Sequence, residues 1–164
     1  MSDATRTRPT LGDPLQLLAT GFGAGLAPRA PGTVGTLVAI VPAWLLLDLP
    51  LGTRAAIVAA LFVVGIYICG ESAKRLATHD HPSVVFDEIV GFLAAALAVG
   101  GSPAWLVPAF LLFRLFDIWK PWPIRDVDHR LAGGLGIMLD DLIAAAYAAL
   151  GLLALRFVPV LIAQ

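Results

Sequence analysis

The chain has 164 residues, one domain's worth, with 59% hydrophobic residues, only 14% charged and a net charge of −1. A soluble domain this small has too much surface per unit volume to hide that much apolar area. The near-neutral balance also excludes a nucleic-acid binder that works by neutralising phosphates. Its single cysteine, Cys69, lies in an apolar run and reads as a small buried hydrophobe, which excludes a disulfide framework and a thiolate metal site.

Taken in chain order, Met1–Pro14 is polar, shows no cleavable secretion signal, and is expected to be a disordered cytoplasmic tail. Residues 15–164 form a single predicted domain. Ala30 to Leu47 and Ala55 to Gly70 carry no charge and are joined across LeuProLeuGly, which predicts a helical hairpin. Ile89 to Phe113 is uncharged but is interrupted by GlyGlySerPro at 100–103, so it predicts two helices, roughly Ser83–Val99 and Pro103–Trp119. Leu142 to Ala163 is apolar apart from Arg156. Arg6, Arg8, Lys74, Arg75, Arg114, Lys120, Arg125 and Arg130 fall in the tail or in segments 71–88 and 114–141, and Arg29 directly precedes the first apolar run. Placing all three regions on the cytoplasmic side satisfies the positive-inside rule. The expected fold is therefore an all-α, small polytopic membrane bundle of about five membrane-embedded helices, its polar segments on the inner face. A soluble helical bundle with an unusually apolar core is the alternative, and the shortness of the runs and Pro42, Pro103 and Pro108 are its support.

Nine of the twelve acidic residues lie in those two polar segments, several beside apolar helices, where an unpartnered carboxylate is costly. Asp87 and Glu88 run into the third apolar segment, Asp117 closes the fourth, and Asp140 and Asp141 open the last. Adjacent acids at an apolar boundary gain nothing as helix caps beyond the first, and oxygen ligands of this type suit a hard cation such as Mg²⁺. Asp80, Asp126 and Asp128 read as solvated loop charges. Arg114, Asp117 and Lys120 share one helix face until Pro121 ends it, which suits phosphate binding or, alternatively, simple ion pairing and snorkelling. ProGlyThrValGlyThr (31–36) and GlyGlyLeuGly (133–136) precede apolar helices; such stretches either offer free N–H groups to an anion or let helices pack closely. No Cys-x5-Arg is present, AspValAspHisArg (126–130) lacks the context of an aspartyl-phosphate enzyme, and the Lys–Arg–His spacing of the other large lipid-phosphatase class is missing. Metal-assisted attack is the route left.

These stretches resemble a bacterial family, phosphatidylglycerophosphatase A. The matching motifs are GlyPheGlyAlaGlyLeuAlaPro (21–28), AlaProGlyThrValGlyThrLeu (30–37), HisAspHis (79–81), PheAspGluIleValGly (86–91), PheArgLeuPheAspIleTrpLysProTrpProIleArg (113–125) and GlyGlyLeuGlyIleMetLeuAspAsp (133–141). The resemblance implies hydrolysis of phosphatidylglycerophosphate, a membrane phospholipid, to phosphatidylglycerol with Mg²⁺ as cofactor, in the bacterial inner membrane with the site facing the cytoplasm. On that reading Asp87, Glu88, Asp140 and Asp141 bind Mg²⁺, and Asp117 is a further ligand or orients water, the nucleophile being water or a carboxylate. Arg114, Lys120 and Arg29 neutralise the phosphate, Thr33 and Thr36 add hydroxyl donors, and His79 and His81 serve as general acid or are surface histidines. A phosphatidyltransferase would need an Asp-Gly…Ala-Arg…Gly…Asp…Asp spacing that is absent. A membrane transporter or other cation-binding membrane protein is the reading from another class; it expects internal repeats and mid-helix acids, whereas these acids lie at helix ends.

Overall fold

The computed structural model describes residues 9–78, 81–100, 102–126 and 131–162, with side chains to residue 157. Six α-helices are described: α1 (Pro14–Ala19), α2 (Pro31–Leu46), α3 (Leu51–Arg75), α4 (Phe86–Ala95), α5 (Leu106–Trp119) and α6 (Gly134–Ile162). Short 3₁₀ turns extend or link them, and there is no strand among the described residues. The boundary expected at residue 14 falls inside the first helical turn. Asp13 caps α1 by accepting from the Leu15 N–H at 3.0 Å, Pro14 supplies the preset φ of a first turn, and Asp13 also pairs with Arg75 of α3.

The five predicted apolar segments each form a helix, in order, as α2 to α6. Their lengths differ from the expectation of five membrane-embedded helices. Crossing a hydrocarbon core of about 30 Å takes about 20 residues at about 1.5 Å each. Only α3, with 25 residues, and α6, with 24 between Gly134 and Phe157, are long and apolar enough. At 16, 10 and 14 residues, α2, α4 and α5 fall short. The break expected at 100–103 is present: α4 runs out through a 3₁₀ turn (Ala96–Ala98), Val99 is extended, and Ser102 caps the next turn by accepting from the Ala104 N–H at 3.2 Å.

α4 is the central element, packed on α2, α3, α5 and α6. Val90, Phe92 and Ala95 are fully buried, and the Phe92 ring meets Phe110 and Phe113 of α5 at centroid distances of 6.3 and 6.2 Å. Glycines set how closely the helices approach. A Cβ built on Gly134 of α6 would lie 1.8 Å from the Ile66 carbonyl oxygen of α3, so the two backbones touch there. Cys69 is fully buried against Met138, with sulfur atoms 3.6 Å apart, as expected of a small hydrophobe. Ser72 donates to the Gln16 amide oxygen at 3.1 Å, a buried polar pair tying α3 to α1.

These contacts orient the bundle. The end of α3 meets the start of α6 at Gly70 and Gly134, while Gly32 at the start of α2 and Arg114 near the end of α5 both meet Glu88 at the start of α4. Residues 76–78, 81–85, 120–126 and 131–133 therefore lie at one end of the bundle, because α4 and α5 form a hairpin that returns the chain. At the opposite end Arg54 donates to the Val99 carbonyl at 3.3 Å, serving a helix-terminal acceptor that α4 cannot satisfy itself, and Arg156 lies 5.8 Å from the centre of the Trp105 ring. Between the ends the outside is apolar: Leu45, Val63, Val107 and Leu150 are each more than 60% exposed, and only 17% of the most apolar stretch of α3 is buried. A surface like this in water would drive aggregation; a bilayer is the solvent that suits it.

Candidate metal centre at the polar end of the bundle

Asp87 and Glu88 occupy the first turn of α4, where the N-terminal end of the helix dipole favours negative charge. Asp141, in the second turn of α6, faces them because Gly91 leaves no side chain between the helices: a Cβ there would lie 3.0 Å from the Asp141 Cβ and 2.8 Å from Phe113. One carboxylate oxygen from each of Asp87, Glu88 and Asp141 lies within 4.8 Å of the others. Asp87 and Asp141 are buried, and Glu88 Oε2 and Asp141 Oδ2 are buried oxygens with no hydrogen-bond partner. Acceptors held this way cost stability unless something positive fills the gap. The donor set is all hard oxygen, which fits a Mg²⁺-type ion and not a thiophilic metal.

Cations flank the cluster on one side. Arg114 of α5 pairs with Asp117, three residues on, and its Nη1 stands 4.0 Å from Glu88 Oε1. Asp117, held by Arg114, is near enough to Asp141 to act on its charge, and it borders the cluster without joining it. Lys120, the left-handed cap residue of α5 (φ 45°), sends its Nζ to Asp140 Oδ2 at 2.8 Å. The other Asp140 oxygen accepts from the Asp141 N–H at 3.0 Å. Five carboxylates against two cations leave acidic groups in excess, an arrangement better suited to a divalent ion than to a phosphate alone.

The sequence-predicted site residues therefore separate. Asp87, Glu88 and Asp141 come together, with Arg114 and Asp117 beside them, while Asp140 turns to Lys120. Thr36 is fully buried and donates its hydroxyl proton to the Gly32 carbonyl of its own helix at 2.8 Å, so that proton is committed; Thr33 is half-buried one turn earlier. Arg29 is exposed just ahead of α2. His81 is buried, and its Nδ1 accepts from the Ser83 N–H at 3.2 Å. His79 lies outside the described residues. The glycines of 31–36 serve close packing: a Cβ on Gly32 would meet Glu88 Oε1 at 2.1 Å, and one on Gly35 would meet Val85 at 2.7 Å. Sequence reasoning did not single out Gly91, whose only signal is its place four residues after Asp87 on an apolar helix face.

Fold and site together define a class: a helical bundle, apolar on its outside, that gathers buried carboxylates at one end. The phosphatidylglycerophosphatase A family model matches residues 17–156, and the chain belongs to that family. A phosphatidylglycerophosphatase A of Escherichia coli (strain K12) is 41% identical over 149 residues, covering 90% of this chain and 86% of the relative. The protein of that name from Haemophilus influenzae is 43% identical over 148 residues, covering 88% and 90%. A Bacteroides thetaiotaomicron protein provisionally named a phosphatidylinositol-3-phosphatase is 40% identical over 144 residues, covering 80% and 87%. No solved structure matches the chain.

Proposed function

We propose that this chain hydrolyses the phosphomonoester of phosphatidylglycerophosphate to phosphatidylglycerol and inorganic phosphate, with Mg²⁺, as a multi-pass protein of the bacterial inner membrane whose site faces the cytoplasm. The observation that carries the reading is the buried trio Asp87, Glu88 and Asp141, with oxygens within 4.8 Å, beside Arg114 in a chain of this family. Those three residues would hold the ion. When bound, such an ion supplies Lewis-acid polarisation of the phosphoryl group and of the attacking water. Arg114, paired with Asp117, would take phosphate oxygens, and Asp117 would accept a proton from the attacking water. Lys120 adds a point charge whose position Asp140 sets. A headgroup phosphate lies where apolar helices end, so the lipid need not leave the bilayer.

Phosphate release from phosphatidylglycerophosphate in mixed micelles is the direct test, run with Mg²⁺ and with chelator and alongside phosphatidic acid and phosphatidylinositol 3-phosphate. Phosphate and phosphatidylglycerol are expected only with Mg²⁺. Turnover that survives the chelator would remove the metal from the reading, and no release at all would remove the reaction.

Asp140 has a different expected phenotype from its neighbour. Asp140→Asn removes the charge that accepts from Lys120 at 2.8 Å, so KM is expected to rise on the order of tenfold, the weight of one charge-assisted contact. The Mg²⁺-induced rise in melting temperature should persist, because Asp140 oxygens point to Lys120 and to backbone. Thermal unfolding with and without Mg²⁺ decides this; a variant that loses the shift makes Asp140 a ligand.

A further inference from the structure

Below the cluster, α2 and α5 leave an apolar groove of about 250 Å³ between them, lined by Ile40, Val41, Trp44, Pro103, Leu106 and Val107. No lining residue carries a charge, and Val41, Trp44 and Val107 are 59%, 55% and 62% exposed, so the groove opens to the outside of the bundle. Its direction is set by helix register. Ile40 and Trp44 follow Thr33 by seven and eleven residues, which puts all three on one face of α2; Val107 precedes Arg114 by seven, which puts both on one face of α5. Two turns of helix, about 10 Å, separate the groove from Thr33 on one wall and from Arg114 on the other. The groove therefore leads to the cation that stands 4.0 Å from Glu88.

We infer that this groove seats an acyl chain of the lipid substrate and so holds its phosphate at the Arg114 end. The inference rests on the phosphatase reading and adds to it a binding site for the part of the substrate that does not react. Two features favour a chain of the substrate over other apolar occupants. The groove is continuous, along both walls, with the side chains that would meet the phosphate. Apart from the Trp44 indole N–H, its side chains also offer no polar atom to a partner helix that would need its interhelical contacts specified. Binding energy from the remote chain would then fix the reacting end.

The test compares kcat/KM for diacyl phosphatidylglycerophosphate in mixed micelles with kcat/KM for its deacylated, water-soluble headgroup bearing the same terminal phosphate. Val41→Trp and Val107→Trp fill the groove from exposed positions, and Val63→Trp places the same bulk on the exposed outer face of α3 as a control. In each groove variant the ratio of diacyl to deacylated kcat/KM is expected to fall on the order of tenfold, the weight of about two methylenes withdrawn from contact. In Val63→Trp it should stay at the wild-type value. An unchanged ratio in both groove variants overturns the inference. A fall that accompanies a change in oligomeric state on size exclusion also overturns it, because a second copy of the chain would then be the occupant. Wild-type protein that releases phosphate from neither substrate sinks the phosphatase reading itself.

Discussion

Asp141→Asn is expected to abolish Mg²⁺-dependent phosphate release while making the metal-free protein harder to unfold. The two effects have one origin. Asp87, Glu88 and Asp141 present oxygens within 4.8 Å of each other in a buried setting. At an effective dielectric of about 20, two unit charges at that separation repel by about 3.5 kcal/mol. Arg114 offsets part of this at Glu88, and its other contact is Asp117. An amide in place of Asp141 removes one charge and fits the same volume, so the metal-free protein should gain about 1–3 kcal/mol. On the proposed reading a divalent ion bound there would achieve the same relief in the wild type, and its binding to the folded state alone would add about 2.7 kcal/mol at about 100 times its Kd. The variant should lose that increment. Activity should fall on the order of a thousandfold, because the ligand that α6 contributes is gone while both ligands of α4 remain. Thermal unfolding with and without Mg²⁺, together with phosphate release, reads all three effects. Wild-type turnover, or an undiminished Mg²⁺ shift, would mean that the trio is not the metal centre.

The contrast between Asp140 and Asp141 marks where the sequence stops being informative. Two acids at the start of an apolar helix are legible as chemistry, because neither is needed twice as a cap. Successive residues on a helix point about 100° apart, however, and here Asp141 faces α4 while Asp140 turns to Lys120. Which of the two faces α4 depends on the rotation of α6, and that is set by Gly134 lying on Ile66 and by Met138 packing over Gly65. These are long-range contacts with no local signature. The helices themselves were far more legible. Uncharged runs bounded by Gly and Pro marked α2 to α6 in order, and the break at 100–103 announced the hairpin that brings the start of α4 and the end of α5 to one end. The extent of α3 was underestimated: charge-free sequence spans Ala55 to Gly70, whereas the helix spans Leu51–Arg75. Arg54, Glu71, Lys74 and Arg75 lie in its end turns, where long charged side chains reach polar surroundings without ending the helix. The glycines of 31–36 and 133–136 admitted two readings from sequence, and the crowding at Gly32, Gly35 and Gly134 favours close packing.

Gly134→Ala is expected to cost both the fold and the reaction, although the residue touches no acid. The added Cβ would lie 1.8 Å from the Ile66 carbonyl oxygen and 2.7 Å from the Gly70 nitrogen, both backbone atoms of α3. No rotamer change relieves a clash with backbone, so α6 must move off α3 by an ångström or more. Overpacking of this kind costs about 1–3 kcal/mol, here without a flexible neighbour to absorb it. The displaced helix carries Asp141 seven residues further on, and a shift of about 1 Å at a reacting centre is worth about a hundredfold in rate. Gly52→Ala is the matched control, since nothing lies within 4 Å of its added Cβ in the first turn of α3. It should be neutral, or gain up to about 1 kcal/mol from helix propensity. If Gly134→Ala keeps wild-type stability and turnover, the α3–α6 contact does not set the position of Asp141. If it loses stability but keeps turnover, the metal ligands lie elsewhere than on α6. The first outcome removes the packing account of the glycine motif, and the second removes the site.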